Sequence, residues 1–431
     1  MSGKSIIKKL VHVVKYQLTV ITRDVSIATL RSKLSKGVFW GGVVFGIVVF
    51  FPFGLIIRYV TPIVTIRFGY FSIHRIGHLA FDVDYYLASR QCEQQEGIKD
   101  ALDVFFLVGE PCNTFLLQLI KRQLKTNSFA RIPYYSQMLM PRSDSSRLLP
   151  SWKVNGSRDH KGYLAQTKPQ LNLSNSEEHS GVDRLVQTGW KPGEPIVCLV
   201  VRDAAYLKTI NSDKNWSYHS YRDTSISSYR ATAIALAEKG YWVFRMGKVV
   251  EEEFEVNHPQ VVDYATSTWK DDFLDVWLMS RCEFCISTST GFDSLASIFR
   301  KPLALVNFMP LAEFQTWSSC VLAPSHLIWN KTGRRLTCRE HLEHCYMRME
   351  QYVDAGITVK ELSESEVLGV VNELELRISR NWVESDNAEQ CQRLFWEIYK
   401  NGGGWTPRDA FFHPDARFSS HFLDANPGFL N

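Results

Sequence analysis

Along this chain, short apolar runs alternate with stretches in which apolar positions recur every three or four residues. That alternation predicts strands separated by helices. Ile63–Ile66 and Asp103–Val108 read as strands. Between them a helix is entered at Arg75-Ile76-Gly77-His78-Leu79 and runs to about Arg90, and another covers Phe115–Leu124. From Ser143 to Gly181 the pattern dissolves into Ser, Asn, Lys, Gly and Pro, the composition of an irregular connection. Periodicity returns after Gly189-Trp190-Lys191-Pro192-Gly193. Strands are expected at Ile196–Val201, Tyr241–Arg245, Val261–Asp263, Phe284–Ser287 and Leu303–Val306, with helices at Ser227–Lys239, Asp271–Met279 and Phe292–Phe299. Amphipathic helices follow over Glu361–Arg380 and Asn387–Tyr399. Strand, helix and strand in repetition is the signature of parallel α/β units.

One run breaks the pattern. Gly37–Ile57 holds 21 residues without a charge, between Lys36 and Arg58. At about 1.5 Å per residue a helix of this length just crosses a bilayer core of roughly 30 Å. Pro52 removes a backbone N–H and kinks such a helix, so the segment either spans once or dips in and turns back. Residues 1–36 carry eight basic side chains against the single acid Asp24, a balance that favours anionic lipid. The expected partner of residues 1–58 is therefore membrane lipid. A cytoplasmic face for the body is favoured, and the alternative is a type II arrangement with the body on the far side.

The whole chain of 431 residues has a formal charge of only +4, so beyond the basic tail the body is near neutral. That argues against broad nucleic-acid binding. Nine scattered cysteines fit a reducing compartment rather than a disulfide framework. Cys338, His341, His344 and Cys345 lack the second paired ligands and turn residues of a zinc knuckle, so no metal site is expected.

The candidate chemistry falls at strand ends. Ser287-Thr288-Ser289-Thr290-Gly291 closes one strand and enters a helix with Asp293 in its first turn. Such a turn gathers N–H groups, hydroxyls and a positive dipole end, which suits a diphosphate; the alternative is an ordinary N-capped helix. Arg202-Asp203 ends the strand before it, Arg222 lies in a polar loop, and Arg245 precedes Gly247 at another strand end. Guanidinium groups placed there neutralise phosphates. Asp263 and Tyr264 end a further strand, and Tyr264 either stacks on a base or belongs to the core. On the amino-terminal side Arg75 and Gly77 flank the helix entry, and His78 is the candidate general base, with Asp82 and Asp84 as other possible contributors. Asp82-Val83-Asp84 has the spacing of a metal-binding acidic pair but lies in a helix, so metal-independent chemistry is favoured.

With these residues assembled, the chain resembles a family of bacterial glycosyltransferases of the GT-B type, from about Ile63 to the end. The blocks that carry the resemblance are Arg75–Leu79, Val197–Asp203, Gly240–Gly247, Asp263–Ser267, Cys285–Gly291, Phe299–Asn307 and the Asn426-Pro427-Gly428-Phe429-Leu430 ending. The resemblance implies an α/β, GT-B-like fold of two Rossmann-like domains facing a cleft, here preceded by the hydrophobic membrane helix. The expected parts are a basic tail at 1–36, the helix at 37–58, an acceptor-side domain at 63–185 and a donor-binding domain at 190–385. A helix and tail at 386–431 complete the chain. Implied too are a nucleotide-sugar donor as co-substrate, no cofactor, and a glycan or lipid-linked acceptor. The Arg-Asp and Ser/Thr-Gly blocks are also loosely similar to fucosyltransferases that use a guanosine donor. One position departs: the family often has His two residues before the Arg-Asp pair, and here it is Val200. Two rivals remain open, a pyruvyl-type transferase on a similar fold and an inactive membrane-bound scaffold. If the anchor reading holds, deleting residues 1–58 moves the body from the membrane to the soluble fraction on ultracentrifugation. A deleted protein that still sediments with membranes overturns it.

Overall fold

The computed structural model describes residues 65–98, 101–138, 147–205, 209 and 216–431, with part of 41–59. Those described between 41 and 59 are helical. The basic tail 1–36 and much of Gly37–Ile57 lie outside the described residues. Among the described residues no helix is long and apolar enough to cross a membrane.

Two compact units emerge. The smaller comprises Met1–Gly69, Ala101–Phe106 and Asn127–Leu148. It holds most of a three-stranded sheet, β1 (Ile66–Ser72), β2 (Leu102–Val108) and β3 (Arg147–Leu148), ordered β2-β1-β3. The first strand begins where the sequence reading ended it. Arg67 is the reason: its guanidinium forks onto the Asp103 carboxylate, Nε to Oδ1 at 2.7 Å and Nη2 to Oδ2 at 2.7 Å, so a charge sits inside the strand already neutralised. Gly69 is obligatory there, because a Cβ would lie 2.6 Å from the Phe105 ring.

The larger unit takes in Tyr70–Asp100, Leu107–Thr126 and Leu149–Asn431. Most of the residues expected to form an acceptor-side domain thus belong to the same compact unit as the second α/β block. Its centre is a seven-stranded sheet of β4 (Ile196–Val200), β5 (Trp242–Met246), β6 (Val261–Val262), β7 (Phe284–Ser287), β8 (Leu303–Phe308), β9 (Cys320–Pro324) and β12 (Ala416–Phe418). Strands β10 (His326–Trp329) and β11 (Ile357–Lys360) form a separate antiparallel ribbon. The order β12-β9-β8-β7-β4-β5-β6 is parallel throughout. Every residue of β4, β5, β7 and β8 is buried, as a sheet covered on both faces requires. The edge strand β12 is three residues long, too short for periodicity to reveal. Its outer edge is closed by one side chain: Gln392 accepts from the Phe418 N–H at 3.1 Å and donates to the Phe418 carbonyl at 2.5 Å.

Helices α1 (Ile76–Gln95), α2 (Thr114–Gln123), α3 (Asn175–Val186), α4 (Arg230–Glu238), α5 (Asp272–Arg281), α6 (Ser294–Ile298), α7 (Glu364–Ile378) and α8 (Ala388–Asn401) follow the predicted pattern except α3. That helix lies partly inside the stretch expected to be irregular. It starts at a reciprocal capping box, Ser174 with Glu177. The connection before it is organised by a distant residue. Arg300, at φ +57°, donates to the Leu164 carbonyl at 2.7 Å, to Thr167 Oγ1 at 3.2 Å and to the buried Asp84 carboxylate at 2.6 Å. Burial lifts the Asp84 pKa to about 6, against the opposing pull of Arg300. Removing the guanidinium leaves a fully buried carboxylate without its cation, a change worth about 3–5 kcal/mol. Arg300→Ala is therefore expected to lower unfolding free energy by roughly that amount in urea titrations, with Arg300→Ala/Asp84→Asn recovering part of it. Equal losses in the single and double variants would show that the pair carries none of the effect.

Candidate active site

The strand order places β4, the first strand of the sheet in sequence, between β5 on one side and β7 on the other. The chain winds outward through β5 and β6, then crosses back to β7 and continues the opposite way. The carboxyl ends of β4 and β7 thus frame the point where the winding reverses, the usual ligand crevice of such sheets. Two bonds tie the ends together. The Thr288 N–H donates to the Val200 carbonyl at 3.2 Å, and the Arg202 N–H to Thr288 Oγ1 at 2.9 Å.

Several N–H groups in and just after the Ser287–Gly291 turn are already taken by the chain. Ser289 N–H donates to Ser287 Oγ at 3.1 Å, Thr290 N–H to Asp293 Oδ2 at 3.0 Å and Phe292 N–H to Thr290 Oγ1 at 3.1 Å. Asp293 is buried, also accepts the Ser287 hydroxyl at 2.7 Å, and has its pKa raised to about 6 by burial, opposed by these bonds. The anion held by this turn is the chain's own carboxylate, and the α-helix that follows is only the five residues of α6. The turn carries a capping box between Thr290 and Asp293.

Arg245 is drawn inward. It is 1% exposed and bound to Asp263 Oδ1 at 3.0 Å, with Asp203 at 3.9 Å. It cross-links the ends of β4, β5 and β6, with its Nε left buried without a partner. Asp263 also accepts the Phe254 N–H at 2.9 Å. Gly247 turns at φ +157°, where a Cβ would meet Val250 at 2.7 Å. Tyr264 is fully buried, its hydroxyl donates to the Asp271 carbonyl at 3.1 Å, and its ring lies against Trp269, so it offers no face to a base.

Arg202 and Arg222 stand at the crevice. Arg202 donates through Nε to Asp223 at 3.2 Å, and burial together with Arg222 lowers its pKa. Arg222 reaches the Ser289 carbonyl at 2.6 Å and Ser289 Oγ at 3.2 Å, leaving its Nε buried without a partner. Beside them is a cavity of 270 Å³ lined by Asp203, Asp223, Thr224, Ser225, Glu251 and Glu361, with Arg245 in its wall. Carboxylates and hydroxyls there suit a ligand rich in hydroxyl donors, as a ribose is.

α1 delivers the remaining group. Gly77 lies against Gly291 so closely that a Cβ would be 3.0 Å from the Gly291 Cα, which brings the start of α1 to the hydroxyl turn. Arg75 occupies the N-cap and leaves the helix start without a side-chain cap. One turn on, His78 Nδ1 is 3.2 Å from Ser157 Oγ and 4.0 Å from Asp82 Oδ2. Ser157 has one proton and directs it to Asp82 Oδ1 at 3.0 Å, so the contact to His78 is an Nδ1–H donated to the serine oxygen. The other ring nitrogen, Nε2, then carries the lone pair, as a base needs. Burial, then Arg75 and His74, lowers the His78 pKa and keeps the ring neutral. Asp82 is raised to about 6 by burial, moderated by bonds from Ser151 and Ser157. Ser151 and Ser157 were absent from the sequence reading, and nothing in a polar stretch 69 and 75 residues away marks them. Among the described residues no cluster of His, Cys, Asp or Glu is arranged to hold a metal ion.

No family model and no curated protein matches the chain. Among solved structures it is similar to a glycosyl transferase family 9 protein from Veillonella parvula, at 9% identity over 73% of this chain and 98% of that one, with a TM-score of 0.35. It is similar too to ADP-heptose LPS heptosyltransferase II of E. coli, at 13% identity over 73% and 100%, TM-score 0.41. The iron-containing dodecameric glycosyltransferase TibC of enterotoxigenic E. coli gives 14% identity over 73% and 78%, TM-score 0.34. At these scores nothing about this chain's activity follows from the likenesses. What stands on its own is the class: an α/β protein built on a doubly wound parallel sheet.

The internal anion has a measurable consequence. Asp293→Ala orphans two donors and is expected to cost roughly 2–4 kcal/mol. Asp293→Asn is expected to cost less, with a deficit that shrinks from pH 4.5 to 7. The folded pKa is raised to about 6, so the wild-type carboxylate loses stability as pH rises through that range. Urea titrations at both pH values measure this, and a deficit that grows with pH would contradict it.

Proposed function

We propose that the protein is a glycosyltransferase of GT-B type that moves a sugar from a nucleotide-sugar donor to a hydroxyl of a glycan or lipid-linked acceptor, without a metal. The observation that carries the reading is the meeting of two features at one point. A base with its tautomer set, His78, is brought by the Gly77–Gly291 contact to the switch point of a parallel sheet lined by Arg202 and Arg222. His78 Nε2 takes the proton of the acceptor hydroxyl as its oxygen attacks the anomeric carbon. Arg222 and the start of α1 with Arg75 stabilise the negative charge gathering on the departing nucleoside diphosphate. The acidic cavity receives the ribose hydroxyls. Asp82 and Ser157 hold the imidazole and support the charge it acquires.

Membrane attachment through residues 1–58 belongs to the same reading, with the body on the cytoplasmic face where nucleotide sugars are made. It is supported by the exposed apolar side chains Phe45, Leu55 and Ile56 in the described part of that helix. Surface polysaccharide or glycoconjugate synthesis is the setting such an enzyme would serve.

Thermal-shift titration of the full chain with UDP, GDP, CDP and dTDP, without added metal, is the test. One nucleotide is expected to raise Tm in a dose-dependent way. With the matching sugar nucleotide, His78→Ala is expected to lower turnover by about 10²–10⁴ while leaving that shift intact. The wild-type rate should climb as pH passes about 6, where Asp82 ionises, and level off above it. No shift with any nucleotide, or full turnover in His78→Ala, sinks the assignment.

A further inference from the structure

The residue after Ser157 belongs to a second group of side chains. Arg158 lies 3.6 Å from the Glu313 carboxylate, and its guanidinium carbon is 5.7 Å from the centre of the Trp405 ring. Exposure rises from 16% for the Arg158 side chain to 22% for Glu313, and the Trp405 residue is 38% exposed. The three side chains form a cluster at the surface, with the cation the least exposed member and the indole the most.

The backbone around this cluster is constrained. Helix α8 ends in Gly402-Gly403-Gly404, and each glycine is needed for the turn that presents Trp405. A Cβ at Gly402 would lie 2.7 Å from the Ile398 carbonyl and one at Gly404 2.7 Å from the Tyr399 ring, while Gly403 sits at φ +103°. The Trp405 N–H then donates to the Ala312 carbonyl at 3.0 Å, and the Tyr399 hydroxyl donates to the same oxygen at 3.0 Å. Ala312 precedes Glu313, so the backbones of Trp405 and Glu313 meet at one peptide unit. Burial raises the Cys345 thiol pKa, and a hydrogen bond with Trp405 opposes it, a contact that also orients the ring.

A half-exposed indole held beside a carboxylate and a guanidinium is the chemistry that recognises a pyranose. The apolar C–H face of the sugar lies on the ring while its hydroxyls bond to both charges. Glu313 offsets the charge of Arg158 within the cluster. From these observations we infer that Arg158, Glu313 and Trp405 form an acceptor subsite for a neutral pyranose, one residue along the chain from the serine that holds His78. The inference rests on the glycosyltransferase reading for its role. It makes the acceptor a carbohydrate with an uncharged ring at this position, not a protein side chain or a bare lipid phosphate. Attack by a hydroxyl of that acceptor, with its proton passing to His78, leaves the subsite holding the extended glycan.

Saturation-transfer NMR and calorimetry on the full chain test it, with methyl glycosides of glucose, galactose and N-acetylglucosamine as probes and methyl glucuronide as the charged comparison. At least one neutral glycoside is expected to bind below about 50 mM. Trp405→Ala is expected to weaken it by about tenfold or more, and the isosteric Glu313→Gln by a smaller factor, with Tm and the nucleotide-induced shift retained. If Trp405→Ala does not fold, Glu313→Gln decides. Unchanged binding in the folded variants, no neutral glycoside binding to the wild type, or preference for the glucuronide overturns the subsite. Sugar binding that tracks Trp405 in a protein that answers to no nucleotide would keep the subsite and remove the donor reading.

Discussion

The seating of α1 is the constraint on which the site depends. Two glycines, Gly77 and Gly291, let the start of that helix meet the hydroxyl turn backbone to backbone, where a Cβ on Gly77 would lie 3.0 Å from the Gly291 Cα. At the next turns of the same helix, Asp82 is bound by Ser151 and Ser157, and Asp84 by Arg300. Buried carboxylates in a helix are costly unless each is paired, and here each pairing pulls a different piece of chain onto α1. The helix is thus held at its start by close approach and along its length by charge. His78, between these anchors, inherits a fixed position and a fixed tautomer.

A second economy is the use of internal carboxylates where ligands were expected. Asp293 takes the place that a phosphate would have at the hydroxyl turn, and Asp263 and Asp203 hold Arg245 below the surface. Both are costs of burial turned into rigidity, because a buried polar group must find a partner within the fold. Among the described residues Arg202 and Arg222 stand at the crevice, and Arg245 lies in the wall of the cavity beside them. That cavity is acidic. That division separates a region suited to phosphate from one suited to hydroxyls, which a single cluster of arginines would not have done.

Much of the sheet was legible because its strands are buried on both faces. A strand such as Ile196–Val200 must be apolar at every position, and that signal survives without any knowledge of its neighbours. Glycine turns and polar strand ends marked where the chain would cross over. The readings that failed share a cause. Arg67 inside β1, the three residues of β12 and the ordered stretch before α3 each depend on a partner far along the chain: Asp103, Gln392 and Arg300. Ser157 was invisible for the same reason, since a serine in a polar stretch has no local mark of the histidine 79 positions before it.

What this sequence determined by itself was the repertoire: parallel strands and helices in order, a basic tail before a long apolar run, and polar residues gathered at strand ends. Local periodicity and turn chemistry suffice for that, since each is written within a dozen residues. Whether a polar residue at a strand end faces a ligand or the fold was decided only in three dimensions. Arg245 and Arg222 look alike in sequence, yet Arg245 is neutralised between two aspartates, whereas Arg222 reaches the carbonyl and hydroxyl of Ser289. The difference is which carboxylates the packed chain brings within about 4 Å, and only the tertiary structure sets that distance.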